Sequence, residues 1–135
     1  AFSNYLENKI IDHIFQNTAF TSPTTLYVGL MTAVSDGEAG TITEVTGGSY
    51  ARVAVTANSS NWSDATANNG TTSNVNAVTF PAATADWGTV THFGIFDAAS
   101  AGNLLVYSAL TASRNITNGS TPSFAAGALT VQVDN

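Results

Sequence analysis

Hydrophobic positions change their period once along this chain. Between Asn4 and Gln16 they recur at helical spacing: Leu6, Ile10 and Ile14 lie four apart, and Ile11 and Phe15 widen the stripe. Glu7, Asn8, Lys9, Asp12 and Gln16 are expected mostly on the other side. Asn4 and Glu7 have the spacing of a capping box, and Asn17 suits a helix stop. Phe20 and Pro23 end the helical tendency.

Beyond Pro23 the period becomes two. Strands are predicted over Thr25–Thr32, Tyr50–Thr56, Asn74–Phe80, Trp87–Phe96, Leu104–Thr111 and Ala128–Val133, with a short further one over Arg114–Thr117. Ala33–Ser49 and Ala57–Ser73 read as loops, and Asp97–Asn103 reads as the turn of a hairpin. Alternation along these strands predicts that Val53, Val55, Phe93, Ile95, Leu129 and Val131 point into the core. Many short strands behind one helix predict an all-β fold: a jelly-roll-like antiparallel β-sandwich with one N-terminal amphipathic α-helix, or alternatively a Greek-key barrel. Length predicts a single domain over 1–135, with the helix and its lead-in over 1–20 and the sandwich over 21–135.

Composition changes this picture on one point, the surface. Charged residues make up 9% of the chain, where an average domain has about a quarter. Ala, Thr, Ser, Asn and Gly supply more than half of the residues, so hydroxyls and amides must do the solvating. Net charge is −6, and Lys9, Arg52 and Arg114 are the only basic residues besides two histidines. Nucleic-acid binding needs a cationic footprint to displace counterions, so no nucleic-acid partner is expected. The same shortage argues against anionic membranes, and no apolar run approaches the roughly 20 residues that span a bilayer. A charged segment followed by an apolar one is missing at the start, so a secretory leader is not expected. With no cysteine, disulfides and thiolate metal sites are excluded.

Candidate chemistry is sparse. His92 and Asp97 sit in the most regular stretch of the chain, but an odd separation along a strand puts them on opposite faces. Asp97 is expected to open the turn. His13 has no second ligand one helical turn away. The acidic loop Asp36–Glu44 lacks the ligand spacing of a calcium-binding EF-hand loop. Five Asn-x-Ser/Thr triplets follow from composition alone. No nucleophile elbow, phosphate-binding loop or diagnostic carboxylate pair is present, so no catalytic residue, metal or cofactor is expected. Tyr50, Trp62 and Trp87, if exposed, would offer stacking faces for sugars, as in a carbohydrate-binding module.

Taken together, the blocks YLENKIIDHIF, TTLYVGLMTA, GGSYARVAVT, TFPAATADWGTVTHFGIFDAAS and GNLLVYSALT resemble, in this order, a family of small tailed-bacteriophage virion proteins often labelled tail fibre proteins. The likeness runs from about Asn4 to Val133. It implies a non-enzymatic structural component of the virion. A compact chain without a repetitive or coiled-coil shaft favours a capsid decoration (cement) protein on the head exterior, bound to the major capsid protein as a homo-oligomer, expected to be a trimer at sites where capsid subunits meet. The alternative is a tail or fibre component that touches tail proteins or host-surface glycans. In either position Leu6, Ile10, Ile11, Ile14 and Phe15 are the candidate interface, with the alternative that the helix only covers the open end of the sandwich.

Overall fold

The computed structural model describes residues 1–133, so the last two residues of the expected sandwich segment lie outside it. Helix α1 spans Asn4–Phe15. Its N-cap is Ser3 rather than Asn4: the Ser3 hydroxyl accepts the Leu6 amide at 3.3 Å. The serine is held there because its hydroxyl also donates to the Leu104 carbonyl at 2.5 Å. Asn17 does stop the helix, with a left-handed φ of 51°.

Among the described residues nine strands follow: β1 Thr25–Asp36, β2 Thr41–Glu44, β3 Val53–Thr56, β4 Thr71–Ser73, β5 Val78–Thr79, β6 Gly88–Phe96, β7 Leu104–Ile116, β8 Ser123–Phe124 and β9 Thr130–Gln132. The main antiparallel sheet has the order β2-β1-β6-β7. Strand β3 shares one edge of β1 with β2, pairing Thr25–Val28 while β2 pairs Met31–Asp36. The facing layer is built from two separate two-stranded ribbons, β4–β9 and β5–β8. The fold is therefore an all-β sandwich with a helix in front, and its second layer is ribbons and loops where a jelly roll would have a continuous sheet.

Between the layers lies the larger core, in which Val28, Leu30, Val90, Phe93 and Ile95 of the sheet meet Val78, Phe80, Trp87 and Leu129. Phe93, Ile95 and Leu129 are buried as alternation predicts, whereas Val53, Val55 and Val131 are half-buried at its margin. A smaller cluster of Met31, Phe96 and Leu104 covers the other face of the sheet, beneath Tyr27, Val34, Ile42 and Tyr107.

Several elements differ from the sequence-based expectation for local reasons. The segment Ala33–Ser49 is not all loop: β1 runs on to Asp36, turns at Gly37–Gly40 and returns as β2. Strand β3 starts only at Val53, because Tyr50 and Arg52 turn inward to polar partners. Most of Asn74–Phe80 is irregular, since buried Asn74 bonds the backbone of Asn76, Ala125 and Leu129 through its side chain. Arg114–Ile116 is the end of β7 rather than a separate strand.

Candidate interaction site

The helix is anchored at its start and free at its end. Phe2 bridges to Val106, the Ser3 amide bonds the Leu105 carbonyl at 2.8 Å, and the Asn4 amide bonds the Glu38 carbonyl at 2.9 Å. Phe2, Tyr5 and Leu6 pack against the main core. Further along, the stripe leaves the body. Ile10 is 37% exposed, Ile11 52%, Ile14 64% and Phe15 77%. Of the five candidate interface residues, Leu6 thus covers the core and the other four form an unpartnered apolar face.

At 100° per residue, Glu7 projects within that face, one turn before Ile10 and Ile11 and two before Ile14, and not on the polar side that a simple count suggests. Lys9 lies on the other side, its ammonium 5.6 Å from the Tyr5 ring centroid. His13 is engaged within the chain: its Nδ1 accepts the Phe20 amide at 3.1 Å, tying the helix end to the lead-in of β1.

A second feature lies on β7. Residues 1–3 cover the edge of this strand only along Leu104–Tyr107. Beyond them the register with β6 jumps from His92–Ala109 to Val90–Arg114, so residues 110–113 bulge out of the sheet. The bulge and the segment Thr121–Ala125 enclose an open groove of about 610 Å³. Leu30, Val90 and Phe93 form its floor, Leu110 and Phe124 its walls, and Arg114 is its one charged residue. No residue of α1 lines it.

The polar chemistry is concentrated elsewhere. Arg52 forks onto Glu44, with Nε to Oε2 at 2.9 Å and Nη2 to Oε1 at 2.8 Å. Its Nη1 donates to the carbonyls of Ala98 and Ala101 at 2.7 and 2.9 Å, and the guanidinium stacks 3.6 Å over Phe96. Tyr50 donates to Glu44 Oε2 at 2.6 Å and accepts the Leu30 amide at 2.9 Å. Burial, followed by that hydrogen bond to the carboxylate, pushes the Tyr50 phenol far above its ordinary value. A bonded carboxylate, a forked arginine and a protonated phenol with every partner inside the chain make a clamp that holds the β6–β7 turn against β2.

His92 and Asp97 are not brought together. His92 pairs with Met31 and so sits on the Met31–Phe96 face, its Nδ1 2.8 Å from the Thr91 hydroxyl. Asp97 has the opposite parity and closes the turn, accepting the Asn103 amide at 2.7 Å and its side-chain amide at 2.8 Å. Among the described residues no three His, Asp or Glu side chains cluster as a metal would require. The expected sugar-stacking faces are also taken. Trp87 is buried, edge-on to Tyr50 at 5.3 Å, with its indole N–H on the Gly48 carbonyl. Tyr50 stacks on Phe80, and half-buried Trp62 packs on the core. No helix is long and apolar enough to cross a membrane among the described residues.

The class these observations define is an all-β sandwich that displays a free helix face and an apolar groove. The family model described as Podophage GP4 fiber I protein gp80 matches residues 1–132. The chain belongs to that family and is a phage structural protein. A comparison with curated protein sequences gives no match.

Proposed function

We propose that this chain is a non-enzymatic subunit of the virion's fibre apparatus, fixed to neighbouring virion proteins through the apolar face of α1. The observation that carries the reading is the exposure of Ile10, Ile11, Ile14 and Phe15 on a helix whose first turn is rigidly anchored. Such a face costs solubility unless it is covered in the assembly. The family description, which names a fibre protein, supports the tail side of the virion. Binding only to an assembled partner stabilises it by RT ln(1 + [L]/Kd), about 2.7 kcal/mol at a hundredfold excess over Kd. Repeated copies add avidity without new chemistry. The reading needs no cofactor, metal, nucleic acid or membrane.

Capsid decoration is the second reading, favoured by a compact sandwich that carries no elongated shaft in its described residues. Particles lacking the protein separate the two. Intact, DNA-filled heads that fail to adsorb to host cells support the fibre position. Heads that lose genomes on warming or osmotic shock, and regain resistance when purified protein is added, replace it with decoration of the major capsid protein.

A further inference from the structure

The free helix face and the groove beside β7 lie on separate parts of one chain. We infer that they are two halves of one interface: α1 of one copy seats in the groove of a second copy. The inference rests on the assembly role proposed above but concerns self-association, which is measurable without the virion.

Three observations carry it. The helix presents a continuous apolar face, Ile10, Ile11, Ile14 and Phe15, that its own body leaves uncovered. The groove lies over the main core, with buried Leu30, Val90 and Phe93 beneath it and half-buried Leu110 and Phe124 at its sides, so an apolar occupant would pack against those two side chains. The charges also match. Arg114 is exposed in the groove and has no ion pair among the described residues, where Arg52 pairs with Glu44. Glu7 stands on the apolar face close to Glu38 and Asp36: burial first, then the charges of Glu38, Asp36 and Glu7, push the Tyr107 phenol up. An acidic end of the stripe therefore meets the single cation of the groove.

A chain cannot satisfy itself in this way. Its helix is fixed at Leu104–Val106, whereas the groove begins at Ala109 further along the same strand. The contact is head-to-tail, each copy offering its helix and receiving another. Such contacts close into a ring when the rotation between copies divides a full turn, and otherwise extend.

The test uses sedimentation of the purified chain. Wild-type protein is expected to self-associate. Ile14→Glu, altered only on the helix, and Arg114→Glu, altered only in the groove, should each weaken association by about tenfold or more. Mixed in equal amounts they should form a one-to-one dimer, since one keeps a working groove and the other a working helix. Glu7→Arg combined with Arg114→Glu should restore self-association. Ala112→Trp, which fills the groove from an exposed position, provides a second groove variant, and circular dichroism checks that each variant is folded. A monomeric wild type at every concentration overturns the inference. So does a mixture that stays monomeric, or groove variants that associate like wild type, which would mean that helix packs on helix. Loss of the fibre position in the particle experiment leaves each of these outcomes readable.

Discussion

Replacing Arg52 by alanine tests whether the clamp stabilises the fold. The arginine side chain is 6% exposed and its Glu44 partner 19%. Removing it leaves a largely buried carboxylate with only the Tyr50 hydroxyl, orphans two carbonyls of the β6–β7 turn, and uncovers the Phe96 ring. Breaking a buried pair by removing one partner costs about 3–5 kcal/mol. For a domain of this size that lowers Tm by roughly 10–20 °C. Urea unfolding followed by tryptophan fluorescence reads it directly, because Trp87 sits edge-on to Tyr50 in the same region. Arg52→Lys keeps the charge but loses the fork, so it should fall between alanine and wild type. Arg52→Ala with Glu44→Gln should be more stable than Arg52→Ala alone, as the stranded charge is gone. If Arg52→Ala unfolds within about 0.5 kcal/mol of wild type, the range of ordinary surface changes, the clamp contributes nothing and the argument fails.

Phe93→Ala should cost about 3–5 kcal/mol, since the ring is buried and packs against Phe124, and a thermal melt checks it. Gly94→Ala puts a Cβ within 2.8 Å of Leu104 Cδ1 and 3.1 Å of both Met31 and Phe96, so it should lower stability by about 1–3 kcal/mol in the same assay. Ile14→Glu should leave Tm close to wild type, because the side chain is 64% exposed, while changing sedimentation. Stability should be lost as pH rises above about 10, where the unfolded chain ionises a tyrosine that the fold keeps protonated at Tyr50. Tyr50→Phe should flatten that slope in urea titrations at increasing pH, and an unchanged slope would remove Tyr50 as its source.

Much of the sheet was legible because its signal is local. Phe93 and Ile95 alternate in a strand that pairs regularly with β1, and their burial follows. Pairing of β2 was hidden because Thr41–Glu44 is short and its neighbours are turn residues. The clamp was invisible for another reason: Glu44, Tyr50 and Arg52 meet the Ala98–Ala101 carbonyls only through tertiary folding. Tyr50 and Trp87 looked like stacking faces because an aromatic in a strand reads alike whether covered or bare. The helix stripe was legible, its division between covered Leu6 and bare Phe15 was not, since periodicity gives a face but not its neighbour. The groove depends on a bulge in β7, and only the register with β6 reveals it.

The tether that seats the helix has a consequence for synthesis. Ser3 bonds a carbonyl 101 residues further along the chain. At typical ribosomal rates of about 5–20 residues per second, that partner appears roughly 5–20 s after the helix has been made. During this interval Tyr5 and Leu6 have no surface to pack on, and the whole apolar stripe of α1 is open. Chains growing side by side on one messenger therefore present their helices to one another before any of them has a finished sheet. Ring closure in a long loop is slow compared with helix formation, so docking comes late on each chain. The part of the molecule proposed to meet neighbours is thus ready first and restrained last.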